Sequence, residues 1–83
     1  MTVKLYGTSG CHLCDDAERL LAHASAALRL DWEYIDIALD HELVERYGTR
    51  IPVLIIHNHE LNWPFSLLDI QRAANPASLS AQP

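Results

Sequence analysis

Apolar residues recur along the first half of the chain with two spacings, and each spacing predicts a type of element. Residues 2–6 alternate apolar and polar side chains, which is typical of a short strand ended by the glycine-containing loop that follows. From Cys11 to about Leu28 the apolar residues fall three and four apart, as on one face of an amphipathic helix. Residues 32–37 are aromatic and β-branched and predict a second strand. Its alternation places on one face Trp32, Tyr34 and Asp36.

The second half of the chain predicts a short helix followed by a hairpin. Residues 40–47 fit a helix of two turns, and we expect Gly48 to end it as a left-handed cap. Residues 53–57 predict a third strand. A polar turn then sends the chain back through residues 60–63 as a fourth strand.

A capping box predicts the start of the last helix, which completes the domain. Ser66 and Asp69 have the required spacing, and the helix is expected to reach about Ala74. The resulting order β-α-β-α-β-β-α predicts an α/β fold: one parallel crossover and one antiparallel hairpin give a four-stranded mixed sheet flanked by helices. We expect residues 1–74 to form this single domain and the Ala-, Ser- and Pro-rich tail at 75–83 to be mobile.

Length and charge exclude several classes of function. Eighty-three residues suit one small domain, and we expect a monomer. Eleven acidic residues against six basic ones give a formal net charge of -5, which has the wrong sign for binding a phosphate backbone, so no nucleic acid is expected. The sequence has neither an apolar run long enough to cross a membrane nor the pattern of a secretory signal. We therefore expect a cytoplasmic protein that binds no membrane.

Two cysteines carry the sharpest chemical signal. Cys11 and Cys14 lie three residues apart where the first loop becomes the first helix, so their side chains share one helical face at a separation that a disulfide tolerates. Cys11, at the helix N-terminus, meets free backbone N–H groups that favour its thiolate, which makes it the predicted nucleophile. Cys14, one turn further and more covered, is the predicted resolving thiol. The alternative interpretation is a pair of buried structural cysteines.

Metal binding is the competing chemistry for these thiols. A structural zinc site needs four ligands, and five histidines accompany the two cysteines in the sequence. His57 and His59, however, flank the predicted hairpin turn at the far end of the strands, roughly 15 Å or more from Cys11. The sequence therefore predicts no metal site.

With these residues in place, the chain resembles the thioredoxin-fold superfamily, and most closely the small glutaredoxin-like proteins. The likeness covers residues 2–74 and rests on the cysteine pair together with the segment Arg50-Ile51-Pro52-Val53. The resemblance implies that Pro52 follows a cis peptide bond beside the dithiol. It also implies that the backbone of Ile51 is offered to an extended substrate.

One segment departs from the pattern of glutaredoxins that use glutathione. Those proteins usually carry a Gly-Gly pair after the hairpin, where this chain has Asn62-Trp63-Pro64-Phe65. The Trp63 ring is expected either to cover part of the substrate groove or, with Phe65, to pack under the last helix. His12, between the cysteines, is a further candidate for contact with the substrate and, if protonated, adds positive charge beside Cys11.

The resemblance implies a dithiol–disulfide oxidoreductase that needs no resident cofactor. Its substrate would be a disulfide-containing protein or a glutathione mixed disulfide, and its electron donor would be glutathione or thioredoxin reductase. Glutathione is thus a candidate co-substrate. The alternative is a thioredoxin-fold adaptor, or a thiol-based carrier of a metal or iron–sulfur cluster, whose cysteines do not turn over.

Overall fold

The computed structural model describes residues 2–74, so the predicted mobile tail at 75–83 lies outside the described residues. The strands and α-helices follow the predicted order, with boundaries that differ by at most one residue, and a short 3₁₀ turn is added after the second strand. They are β1 (Thr2–Gly7), α1 (His12–Leu28), β2 (Asp31–Asp36), a 3₁₀ turn (Ile37–Leu39), α2 (His41–Tyr47), β3 (Val53–Ile56), β4 (His59–Asn62) and α3 (Leu67–Ala74).

The four strands form one mixed sheet in the order β2-β1-β3-β4. β1 pairs in parallel with β2, and β3 is antiparallel to both β1 and β4. Gly7 lies opposite Asp36 on β2, while Val53, the first residue of β3, lies opposite Tyr6 and Asn62. The ends of β1, β2 and β4 therefore meet the start of β3 at one end of the sheet, which we call the Gly7 end.

Helices cover both faces of the sheet. On one face, α1 and α3 bury a core that includes Leu5, Leu21, Leu54 and Ile70, all with no exposed surface. On the other face, Tyr47 of α2 packs with Ile37 and Val53 in a smaller cluster. Burial of these apolar side chains is the main source of stability for so small a domain. The fold is the predicted thioredoxin-like mixed sheet flanked by helices.

Local capping explains where the helices begin. The Asp40 carboxylate accepts hydrogen bonds from the backbone N–H groups of Glu42 (2.9 Å) and Leu43 (3.4 Å) and so starts α2. Before α3, the N–H of Asp69 donates to Ser66 Oγ at 3.1 Å, and the N–H of Ser66 donates to the Asp69 carboxylate at 2.9 Å. This reciprocal pair confirms the predicted capping box.

The expected left-handed cap at Gly48 is wrong. Gly48 has right-handed helical angles, φ -54° and ψ -32°. A Cβ at this position would lie 2.5 Å from the Val44 carbonyl oxygen, so the glycine permits a close backbone approach rather than a positive φ. The left-handed cap occurs instead after α1, at Arg29 (φ 56°), whose N–H donates to the Ser25 carbonyl.

Among residues 2–74, none of the helices has both the length and the apolar character needed to cross a membrane.

Candidate active site

A disulfide joins Cys11 and Cys14 at the start of α1, with the two Cα atoms 5.2 Å apart. Cys11 is the residue that caps this helix: its backbone is extended (φ -90°, ψ 108°), and its Sγ accepts a hydrogen bond from the Cys14 N–H at 3.2 Å. The free N–H groups of a helix N-terminus stabilise negative charge. The Cys11 sulfur is therefore held where a thiolate is favoured, as the sequence predicts.

The two sulfurs differ in their access to solvent. Cys11 is half-buried, whereas Cys14 has no exposed surface and belongs to the buried face of α1 with Ala17 and Leu21. Of the two cysteines, only Cys11 is therefore partly exposed to solvent.

Side chains of Cys14 and Tyr34 both border the space over Gly7, an arrangement that the sequence did not predict. A Cβ on Gly7 would lie 3.1 Å from both Cβ and Sγ of Cys14, and 2.6 Å from the hydroxyl oxygen of Tyr34. Glycine is therefore the residue that lets these side chains approach. Gly7 follows Val3 and Leu5 in the alternation of β1, so the position of its missing side chain is on the face covered by α1. This alternation is the pattern in the sequence from which the position of Gly7 could have been predicted.

Burial raises the pKa of the Tyr34 phenol above its ordinary value, and the nearby carboxylates of Glu18, Asp36 and Asp15 raise that pKa further. Tyr34 therefore keeps its proton at neutral pH. Asp36, at the end of β2, accepts a hydrogen bond from the Ala38 N–H at 2.9 Å and caps the 3₁₀ turn.

The peptide bond between Ile51 and Pro52 is cis, as the resemblance implies. Pro52 is fully buried and immediately precedes Val53, the partner of Tyr6 in the sheet. The register therefore places this segment at the Gly7 end, where the loop to the cysteines begins. A second cis bond, between Trp63 and Pro64, was not predicted.

Trp63 follows β4 at the same end of the sheet and is half-buried. Its ring makes an edge-to-face contact with Phe65, with centroids 5.1 Å apart and planes at 85°. Phe65 is a buried member of the main core, against which Trp63 packs. Of the two expected positions for Trp63, the structure therefore shows packing with Phe65 against the core, and the Trp63 residue remains partly exposed to solvent.

The His12 side chain extends into solvent from the first turn of α1 and is 84% exposed. Its Nε2 lies 3.9 Å from the Asp16 carboxylate, one helical turn further along, and Arg19 approaches the same carboxylate at 3.9 Å. Asp16 therefore places a negative charge within one helical turn of His12 near the start of α1.

The guanidinium of Arg50, which precedes the cis-proline segment, interacts with Glu60 and Tyr47. Its Nη1 donates to the Glu60 carboxylate at 2.8 Å, and its guanidinium lies 5.1 Å from the centroid of the Tyr47 ring. The hydrogen bond to Glu60 raises the pKa of Arg50 further, so the guanidinium stays charged and paired. Within residues 2–74, the structure contains no group of three or more His, Cys, Asp or Glu side chains that could hold a metal ion.

Comparisons with known proteins agree with this geometry. The chain is similar in fold to the structural-genomics target protein XcR50 from X. campestris. The X-ray structure of XcR50 matches with 36% identity, 98% coverage of this chain, 99% of that chain and a TM-score of 0.72. Its solution structure matches with 37% identity, 100% and 97% coverage and a TM-score of 0.70.

Thioredoxin 1 from the thermophilic eubacterium Thermosipho africanus shares the fold, with a TM-score of 0.72, 15% identity and coverage of 99% of this chain and 100% of that chain. No curated protein matches the sequence. The model of one family, described as "Glutaredoxin-like domain (DUF836)", matches residues 2–77. The chain therefore belongs to this family of glutaredoxin-like domains.

Proposed function

We propose that the protein is a dithiol–disulfide oxidoreductase that uses Cys11 as nucleophile and Cys14 as resolving thiol. The observation that carries the proposal is the asymmetry of the disulfide: one sulfur caps a helix within reach of solvent, and the other is fully buried. A purely structural disulfide gains nothing from such an arrangement. An exchange reaction needs it, because the two thiols act in sequence.

In the reductive direction, the Cys11 thiolate attacks one sulfur of the substrate disulfide. The substrate's S–S bond breaks, its other sulfur leaves as a thiolate that takes a proton from water, and Cys11 is left in a mixed disulfide. Cys14 then loses its proton to solvent and attacks the Cys11 sulfur, which releases the second substrate thiolate. The substrate gains two electrons, and the protein ends as the Cys11–Cys14 disulfide.

We further propose a protein disulfide as the substrate. Leu13, Leu39 and Leu67 are exposed large apolar side chains on segments that leave the Gly7 end of the sheet, a composition suited to a protein surface. The Ile51 backbone and the exposed part of Trp63 flank the same end and would hold an extended segment of the partner.

Electrostatics argue against glutathione as the preferred ligand. Asp15 and Asp16 follow the cysteines on α1 and repel its carboxylates, while Arg50 is occupied by Glu60. Thioredoxin reductase is therefore the proposed electron donor, and glutathione is the alternative donor. The formal charge of -5 also supports a role without nucleic acid.

A reducing compartment would supply the electrons for each cycle, so we propose that the protein works in the cytoplasm. The described sheet buries its core within one chain, and a monomer is sufficient for the reaction. No resident cofactor enters the proposed steps.

The test is steady-state reduction of a protein disulfide, such as that of insulin, by the purified protein with either donor. Wild-type protein is expected to turn over, Cys11→Ser to be inactive, and Cys14→Ser to stall as a mixed disulfide through Cys11. Ser25→Ala, which removes a hydroxyl that donates to the Ala22 carbonyl on the same helix, is the control and should behave as wild type. Absence of turnover with both donors, together with colour or bound metal in the isolated protein, would support a carrier instead.

A further inference from the structure

The Cys14 sulfur and the Tyr34 hydroxyl oxygen are two of the three heavy atoms nearest to the position that a Cβ of residue 7 would take. They lie 3.1 Å and 2.6 Å from the point where a Cβ of residue 7 would stand. Tyr34 reaches this space from β2, where it is paired with Leu5, and Cys14 reaches it from α1. Two elements distant in sequence therefore bring a phenol to the buried side of the disulfide.

The chemistry of Cys14 creates a need for such a group. To resolve a mixed disulfide, this thiol must ionise in a position with no exposed surface. Burial disfavours a charged sulfur. Among residues 3–74 no polar or charged side chain is fully buried, so a side chain that stabilises this sulfur has to be a half-buried one.

Tyr34 is suited to donate a hydrogen bond there. It is half-buried against the main core, and its side-chain oxygen takes part in none of the side-chain hydrogen bonds formed by residues 2–74. Its raised pKa keeps the phenol protonated through neutral and mildly alkaline pH. The charged groups that face it are Glu18 and Asp15 from α1 and Asp36 from its own strand.

We propose that the Tyr34 hydroxyl donates a hydrogen bond to the Cys14 thiolate during resolution of the mixed disulfide. This inference rests on the proposed function and adds a residue to it. While Cys11 is bonded to substrate, the Cys14 sulfur is no longer held in the internal disulfide and still borders the space over Gly7, which the Tyr34 hydroxyl also borders. Its proton leaves to solvent, and the thiolate formed is stabilised by the phenol, which keeps its own proton throughout.

The two thiol steps can be timed separately with dithiobis-nitrobenzoate, a disulfide whose halves leave as coloured thiolates. One equivalent added to reduced protein should release colour in two phases, first as Cys11 attacks and then as Cys14 closes the disulfide. In Tyr34→Phe the second phase is expected to be about tenfold slower at neutral pH. The midpoint of its pH profile should rise by about one unit, and the first phase should not change.

Tyr6→Phe is the matched control, because Tyr6 lies on β1 but stacks on Tyr47 in the smaller core. Both of its phases are expected to match those of wild type. If the second phase of Tyr34→Phe keeps the rate and pH midpoint of wild type, the inference is overturned. If wild-type protein itself releases only one coloured thiolate, the proposed dithiol function fails instead.

A measurement on protein that retains Tyr34 covers the case in which Tyr34→Phe does not fold. A neighbouring thiolate makes loss of the phenolic proton harder, so the last tyrosine of reduced wild-type protein should titrate at higher pH than in Cys14→Ser. Ultraviolet titration of tyrosinate reports this shift. Identical curves for the two proteins would contradict a hydrogen bond between the phenol and the thiolate.

Discussion

Replacing Gly7 with alanine is expected to destabilise the oxidised protein, because the added methyl group has no free space. Its Cβ would lie 2.6 Å from the Tyr34 hydroxyl oxygen and 3.1 Å from two atoms of Cys14. Neither neighbour moves easily: Cys14 is fixed by its disulfide, and Tyr34 is packed against the core. One of these side chains must nevertheless shift.

Two effects of opposite sign set the magnitude. Gly7 does not have a positive φ, so alanine can adopt its backbone conformation and should gain about 0.4–1 kcal/mol by restricting the unfolded chain. Overpacking a core by one methyl group costs about 1–3 kcal/mol. We expect the steric effect to win and the free energy of unfolding to fall by about 1–2 kcal/mol.

Urea denaturation of the oxidised protein, followed by tryptophan fluorescence and circular dichroism, measures this loss. With a slope of about 1–2 kcal/mol per molar for so small a domain, the midpoint should fall by about 1 M. A double-mutant cycle with Tyr34→Phe assigns the clash, because that substitution removes the nearest atom to the new methyl group. Gly7→Ala should cost about 1 kcal/mol less in the Tyr34→Phe background.

Two results would refute this reasoning. A Gly7→Ala protein as stable as wild type would mean that the space over Gly7 is open. An equal cost in both backgrounds would mean that the Tyr34 hydroxyl does not border that space, and the inferred hydrogen bond to Cys14 would lose its geometric basis.

Three further predictions concern other parts of the fold. Ser66→Ala should lower the free energy of unfolding by about 1 kcal/mol through loss of the cap on the Asp69 N–H, whereas Ser66→Thr should retain most of it, both by urea denaturation. Folding raises the pKa of Tyr34, so its neutral form contributes stability below about pH 10 that is lost as pH rises through the folded pKa. In alkaline titrations, the free energy of unfolding of the oxidised wild type should therefore fall more steeply than that of Tyr34→Phe. Phe65→Ala should cost about 3 kcal/mol and shift the Trp63 emission to longer wavelength, and an unchanged spectrum would contradict the edge-to-face contact.

The features predicted correctly from the sequence depend on short-range patterns. The spacing of apolar residues in α1 predicts its buried face, and the spacing of Ser66 and Asp69 predicts their reciprocal hydrogen bonds. The sequence also predicts Cys11 at the N-terminus of α1 beside free backbone N–H groups, and the structure places it there as the capping residue. The cis bond at Pro52 came from the resemblance to a family rather than from local physics.

The features missed depend on contacts between distant elements. Gly48 looks like a left-handed cap in sequence, but its backbone keeps right-handed helical angles and lies close to the Val44 carbonyl. The approach of both Tyr34 and Cys14 to Gly7 needs the register of β1 against β2 together with the position of α1. A single sequence contains these three residues but not the register that brings them to one place.

The central claim is that the disulfide between Cys11 and Cys14, at the N-terminus of α1, forms and is reduced reversibly. Its most direct test equilibrates the protein in glutathione redox buffers, quenches with acid, alkylates the free thiols and measures mass. We predict one two-electron transition between a doubly alkylated dithiol and an unmodified disulfide, with Cys14→Ser instead accumulating a glutathione adduct on Cys11. A protein whose two thiols stay free, or stay bonded, across the whole range of buffers would contradict the account.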